Sequence, residues 1–277
     1  MNQMAERMAA YKIFRTILGP IYKFWYRPKI IGRENIPKEG SILVVGNHVH
    51  IMDQCNIVIA TKRCLRYMAK KEYFDNKKVA WFFRSCGCIP VDRSKKDEEA
   101  TASAIEVLQN HQALGLFPEG TRNALKEERA QEIYDKYEME EDFKSFYKRV
   151  KKNKTSFVNY AEELLEKEII TKEEFLDNLS DLDLLLRDLI SFHKITEDDY
   201  YEHVLLPFKF GAVSMAQKTN SYLVPYAITG TYGFRKKGLL IRIGKPFLVG
   251  DDLAAANEKL FYAIKTLYKE NEKNSGK

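Results

Sequence analysis

The stretch NHVHIMD, residues 47–53, sets an asparagine, two histidines and a carboxylate directly behind the apolar run SILVVG. A histidine held by a carboxylate at one ring nitrogen keeps a single tautomer, and its other nitrogen is then fit to act as a general base. His48 and Asp53 have the reach for this if His48 ends a strand and Asp53 opens the next helix. Taken alone, such a pair is more often a structural hydrogen bond than a catalyst. His48, His50 and Asp53 also raise a metal site. Two residues separate His50 from Asp53, no histidine follows, and of the remaining His111, His193 and His203 two lie in a separate acidic segment. Ligand count and spacing therefore argue against a metal, and no cofactor is expected.

A second group lies in LFPEGTRN, residues 116–123, where Glu119, Gly120, Thr121 and Arg122 follow an apolar run. The glycine lets backbone approach a ligand closely, and the arginine offers a fork that fits a phosphate. The Gly-Lys-Ser/Thr ending of a nucleotide phosphate loop is missing. CGCIPVDRS, residues 86–94, delivers Arg93 at the start of a loop. Each arginine on its own reads better as half of a surface ion pair. No Gly-x-Ser-x-Gly elbow occurs in the chain, so a serine acyl-enzyme has no evident nucleophile.

The elements that must position these groups alternate. SILVVGN (41–47) reads as a buried strand, QCNIVIATKR (54–63) as a helix, and RYMAKKEYF (66–74) as a strand and turn. Helix 98–111 and strand 113–117 follow, then helix 211–220, strands 222–230 and 238–244, and a C-terminal helix capped by Asp251 and Asp252 with Leu253, Leu260, Ile264 and Leu267 inward. This alternation predicts an α/β fold, a mainly parallel mixed sheet flanked by helices. From Met8 to Arg27 the spacing predicts an amphipathic helix, with Lys12, Arg15, Lys23 and Arg27 opposite Tyr11, Phe14, Leu18, Ile21, Tyr22 and Trp25. Basic and aromatic residues on one helix suit a membrane interface, although a helix that only packs on its domain shows similar spacing. Arg15, Lys23 and the Gly19-Pro20 pair interrupt it too often for a transmembrane span.

Length and composition, 277 residues with 45% hydrophobic and 30% charged, require a real core. Cys55, Cys64, Cys86 and Cys88 do not form a disulfide framework, and no secretory signal is visible, which points to a reducing cytoplasm. The net charge of +6 divides sharply. Residues 124–204 hold 13 Lys+Arg against 22 Asp+Glu, a net of −9, and the remainder carries +15. Leu179, Leu182, Leu186 and Leu189 recur at helical spacing inside the acidic segment, which predicts a helical insertion. So basic a body fits an anionic membrane surface, a phosphorylated substrate or nucleic acid, but no nucleic-acid module appears in the sequence. The expected organisation is a membrane-interface helix (1–27), an α/β domain (28–123 and 205–277) and the acidic helical insertion (124–204).

In order along the chain stand Asn47-His48-x4-Asp53; Gly87, Ile89, Val91, Asp92 and Arg93; Phe117 to Arg122; and Val224, Pro225, Ala227 and Ile228. This order resembles the glycerolipid acyltransferase family, best known from lysophosphatidic acid acyltransferase. GRENIPKEGSILV, LPFKFGA and IGKPF extend the resemblance, while segment 124–204 departs from it. The resemblance implies that His48 takes a proton from an acceptor hydroxyl as it attacks an acyl thioester, with Asp53 orienting the ring and steadying the imidazolium. It further implies that Arg93 and Arg122 bind the acceptor's phosphate, that Glu119, within Glu119-Gly120-Thr121, positions its glycerol hydroxyl, that Asn47 belongs to the site, and that Lys70 is a candidate for the same anion. The donor would be acyl carrier protein or acyl-coenzyme A, the acceptor a lysophospholipid, and the place of action the cytoplasmic face of a membrane, peripheral or monotopic. A non-catalytic lipid-binding protein on the same fold is the alternative, against which the intact His48, Asp53, Glu119 and Arg122 speak.

Overall fold

The computed structural model describes residues 2–92, 94 and 97–274, with side chains from residue 11 onward except residue 14. In chain order the first elements are α1 (Asn2–Tyr26), β1 (Lys29–Ile31), a 3-10 turn (Arg33–Asn35), β2 (Ile42–Gly46), α2 (Asp53–Ala60), β3 (Leu65–Lys70), α3 (Glu72–Asp75), α4 (Lys77–Ser85), β4 (Ile89–Val91), α5 (Glu98–Gln109) and β5 (Ala113–Leu116). Six helices follow: α6 (Glu127–Lys136), α7 (Phe143–Val150), α8 (Thr155–Glu166), α9 (Lys172–Asp177), α10 (Leu182–Ser191) and α11 (Glu197–Glu202). The chain closes with α12 (Gly211–Lys218), β6 (Tyr222–Thr229), β7 (Leu240–Ile243) and α13 (Leu253–Lys273). Residues 1–120 and 208–277 form one unit, and residues 121–207 a second.

In the first unit the described strands make one seven-stranded sheet in the order β1-β7-β6-β2-β5-β3-β4. All neighbours run parallel except β6 and β7. The run ILVVG of β2 is buried at every position because β5 and β6 flank it and both faces are covered, which is why its sequence is continuously apolar rather than alternating. A Cβ on Gly46 would lie 2.4 Å from the Tyr226 ring, and one on Gly115 2.2 Å from the Tyr67 ring. Both glycines are therefore slots across which aromatic rings lie flat on the sheet. Ile42, Val44, Ile57, Leu65, Tyr226 and Ile241 belong to the core beneath. Because β2, β3, β4, β5 and β6 point the same way, their carboxyl ends share one edge, where an open α/β sheet places its ligand crevice.

Several boundaries differ from the sequence reading. Segment 66–74 ends as a strand at Lys70 and turns into α3, and α4 behind it, with Asn76 capping its first turn, was not anticipated. The three-residue strands β1 and β4 were also missed, being too short to show a period. In α13 only Asp252 caps, accepting from the N–H groups of Ala254 and Ala255. Leu260 and Ile264 are buried, while Leu253 and Leu267 stay half-exposed.

Among its described side chains, helix α1 keeps most of the apolar ones exposed. It packs on the domain through Tyr11, Gly19 and Tyr22, whereas Ile13, Ile17, Leu18, Ile21, Phe24 and Trp25 remain exposed. The apolar face is wider than the contact it makes, so only one margin is buried and the face does not act as a single packing surface. Phe234, itself exposed, adds to the row by standing edge-on to Trp25 at 4.7 Å. No described helix is long and apolar enough to cross a membrane.

The second unit extends three residues beyond the expected insertion at each end. Buried asparagines staple it. Asn123 donates to Ser156 Oγ and the Val204 carbonyl and accepts the Ser156 N–H, while Asn153 donates to the Val150 and Leu179 carbonyls and accepts the Leu182 N–H. Leu179, Leu182, Leu186 and Leu189 are buried, and α10 packs on α8 and α11. Thr171 and Thr196 open α9 and α11 with capping boxes.

Candidate active site

At the carboxyl end of β2 the chain leaves the sheet as Asn47 and His48. The Asn47 amide donates to the Ile228 carbonyl at 3.0 Å and accepts the Ile228 N–H at 2.7 Å, prolonging the β2–β6 pairing by one side chain. With both ends of its amide on backbone and 1% exposure, Asn47 fixes where β2 releases the chain. His48 Nδ1 then lies 2.8 Å from Oδ2 of Asp53, the first residue of α2. Its ring stacks on Phe117 with centroids 3.9 Å apart, its side chain is 12% exposed, and Nε2 has no hydrogen-bond partner among the described residues.

Asp53 is fully buried. Oδ2 also accepts the backbone N–H groups of Val49 and His50 at 2.7 and 2.8 Å, and Oδ1 accepts the Tyr232 hydroxyl at 2.6 Å. Four donors on one carboxylate offset its desolvation and leave it an acceptor toward the imidazole. Nδ1 therefore carries the proton, and Nε2 presents its lone pair. His50, which shared the metal reading, stacks on Tyr232 at 4.1 Å, and its Nδ1 accepts the Met52 N–H.

Glu119, 3% exposed, reaches from the turn after β5 and accepts the His48 backbone N–H on Oε1 at 2.7 Å. Gly120 behind it adopts φ +70°, and a Cβ there would meet Lys209 Cε at 2.8 Å. Lys70 closes β3 on the same edge, exposed and in register with Val91 of β4. Arg93 lies outside the described residues. Thr121 and Arg122 open the second unit, and Arg122 is exposed without a hydrogen bond or ion pair among the described residues.

A family model described as Acyltransferase matches residues 27–229, most of the 277-residue chain. The chain belongs to the Acyltransferase family. A curated relative, a 1-acyl-sn-glycerol-3-phosphate acyltransferase of Bacillus subtilis, is 28% identical over 115 residues, covering 41% of this chain and 58% of the relative. One from Borreliella burgdorferi is 36% identical over 97 residues, covering 34% of this chain and 38% of the relative. The matched stretch thus spans less than two thirds of either relative. The crystal structure of the 1-acyl-sn-glycerophosphate (LPA) acyltransferase from Thermotoga maritima aligns with 100% of this chain and 99% of its own at a TM-score of 0.52 and 17% identity, which is a likeness of fold.

Three residues around the pair of this Acyltransferase member escape sequence reasoning. Tyr232 is 179 residues from the carboxylate it serves, so no local spacing announces it. Asn56 lies one helical turn beyond Asp53 and looks like any polar residue of an amphipathic helix. Lys209 stands in LPFKFGA, and its N–H donates to the Pro118 carbonyl at 2.9 Å. In the sequence it stands out only as part of a motif that extends the family resemblance.

Proposed function

We propose that the protein transfers a fatty acyl group from a thioester donor, acyl carrier protein or coenzyme A, to the free hydroxyl of lysophosphatidic acid or a related lysophospholipid. The observation that carries this is His48, whose Nδ1 is fixed by the buried Asp53 while Nε2 has no hydrogen-bond partner among the described residues. Nε2 takes the proton of the acceptor hydroxyl as its oxygen attacks the thioester carbonyl. The C–S bond breaks, the new C–O ester bond forms, and the imidazolium returns its proton to the departing thiolate. The base works without a covalent acyl-enzyme, in keeping with the missing nucleophile elbow.

The family resemblance supports Arg93 and Arg122 as cations for the acceptor's phosphate, with Lys70 a further candidate. Glu119, committed to the His48 N–H, sets the height of the base above the sheet edge, and its part in placing the glycerol hydroxyl runs through that turn. The lipid acceptor is met at an anionic membrane surface on the cytoplasmic side. Exposed Ile13, Ile17, Ile21, Phe24 and Trp25 on α1, bordered by Lys12 and Lys23, support a peripheral attachment there.

The test offers the purified chain a matrix of lysophospholipids and acyl thioesters and measures product lipid together with free thiol. One diacyl product per thiol released is expected. Thiol release without ester product, or no turnover on any pair, would overturn the reading.

A further inference from the structure

We propose that Tyr232 is a positioning residue of the His48–Asp53 pair, and that α1 is part of the active centre because its Tyr22 holds Tyr232 through Asn56. The proposal rests on His48 being the general base of the preceding section.

The observations form a continuous chain within the first unit. The Tyr22 hydroxyl donates to Asn56 Oδ1 at 2.9 Å, Asn56 Nδ2 donates to the Tyr232 oxygen at 2.7 Å, and the Tyr232 hydroxyl donates to Asp53 Oδ1 at 2.6 Å. Tyr22 also reaches the Met52 carbonyl at 3.5 Å and Asn56 Nδ2 the Asp53 carbonyl at 3.3 Å, but the ionised Asp53 side chain can only accept, so Tyr232 donates to it, Asn56 donates to Tyr232, and Tyr22 donates to Asn56. Burial pushes the Tyr22 and Tyr232 phenols well up, and the Asp53 charge adds to both, so both stay protonated and keep donating. The Tyr232 ring is clamped as well, stacked on His50 at 4.1 Å and edge-on to Tyr26 of α1 at 5.5 Å.

The need for this arm follows from the loading of the carboxylate. Oδ2 carries three donors, including the catalytic ring, and Oδ1 carries the tyrosine. Without it, Oδ1 is a buried half-charge with no hydrogen bond among the described residues, and the carboxylate loses the contact that holds its plane about the Cβ–Cγ bond and with it the direction of the imidazole. The tyrosine therefore does two things. It locks the carboxylate plane that sets the direction of Nε2, and it draws off part of the negative charge that would otherwise over-stabilise the imidazolium. Tyr232 belongs to the connection between β6 and β7, and two residues on, Phe234 stands against Trp25. One short segment is thus pinned to α1 on its outer side and to the base's partner on its inner side.

The test is steady-state kinetics with the full chain, lysophosphatidic acid and an acyl thioester, for Tyr232→Phe, Tyr22→Phe, the double variant and His48→Ala. Tyr232→Phe keeps the ring stacked on His50 and removes only the hydroxyl. Its kcat is expected to fall about tenfold with acceptor KM within about twofold, the size expected when a reacting group is misplaced while binding is intact. The acid limb of its kcat/KM profile is expected to move to higher pH, because the less shielded carboxylate favours the charged ring. Tyr22→Phe should show a smaller fall of the same kind, and the double variant should be no worse than Tyr232→Phe, since both act through one chain. A Tyr232→Phe enzyme with parental kcat and pH profile, beside an inactive His48→Ala, would overturn the proposal alone. So would a fall in kcat with the pH profile unmoved and the two losses additive. An active His48→Ala would overturn the underlying assignment of the base instead. Should Tyr232→Phe not fold, Tyr22→Phe decides: parental kinetics there would sink the role of α1.

Discussion

The backbone N–H of His48 donates to Oε1 of Glu119 at 2.7 Å, so the turn that follows β2 hangs from the turn that follows β5. Two neighbouring parallel strands thereby share one site, and the carboxylate is as much a structural acceptor as a charge. Glu119→Ala is expected to leave a largely buried N–H without its partner, at a cost of about 1–3 kcal/mol. Glu119→Gln keeps a carbonyl oxygen and is expected to stay close to the parent. Thermal melts compare the two, and equal melting temperatures for Ala and Gln would show that the hydrogen bond does not hold the turn.

Replacing His48 by alanine is expected to remove turnover while the fold stays. General-base assistance contributes about 10² to 10⁴ in rate, so kcat falls by that order. The ring lost is stacked on Phe117 and only 12% exposed, so a modest drop in melting temperature accompanies it. Turnover that survives at the parental rate would remove His48 from the mechanism.

How much of this was visible in the sequence depends on the distance between partners. The His48–Asp53 contact spans five residues, and the step from strand to helix that makes it is written locally, as an unbroken apolar run followed by a helical period. The parallel sheet was legible for the same reason. Glu119 stood out in its motif behind an apolar run, but its contact with the His48 N–H, like that of Tyr232 with Asp53, was not written locally, because these contacts close loops of 71 and 179 residues. The spacing of α1 showed amphipathicity but not which margin would be buried, since Tyr11 and Ile13 are alike apolar and only tertiary contact separates them. Strands of three residues, β1 and β4, hold too few alternations to be seen at all.

The cysteines are expected to behave as inert thiols at neutral pH. Burial pushes the Cys55 and Cys88 thiols up to about 12 and the Cys86 thiol up to about 11 from the ordinary 9.0. Because the folded state holds these protons more tightly than the unfolded one, their contribution to stability is complete below about pH 9 and is lost as pH climbs toward 11 and 12. At pH 8 alkylation should be much slower in the folded chain than in urea, and the folded rate should keep rising above pH 9 instead of levelling. Mass spectrometry over a pH series reads this directly, and equal rates in folded and unfolded chains would contradict it.

The second unit is expected to be removable. Where the chain leaves and rejoins the first unit, the Lys209 N–H donates to the Pro118 carbonyl at 2.9 Å, so the two ends are already hydrogen-bonded to each other. A chain in which a short Gly/Ser turn replaces 121–207 should keep a cooperative melt and α/β circular dichroism, since closing so short a gap costs little loop entropy. Loss of the cooperative transition would assign part of the α/β core to the second unit.

On the proposed attachment to an anionic membrane surface, the exposed row of Ile13, Ile17, Ile21, Phe24 and Trp25 also governs how the molecule is expected to fractionate. Attraction between Lys12 or Lys23 and an anionic surface weakens as ionic strength rises, while apolar contact strengthens in salting-out salts. The two halves of the same helix thus answer an extraction buffer with opposite signs. A high-salt wash removes the charge contribution and leaves the apolar one. On that proposal complete release is expected to call for detergent, with the chain divided between the soluble and pelleted fractions by which an attached protein is ordinarily told from an embedded one.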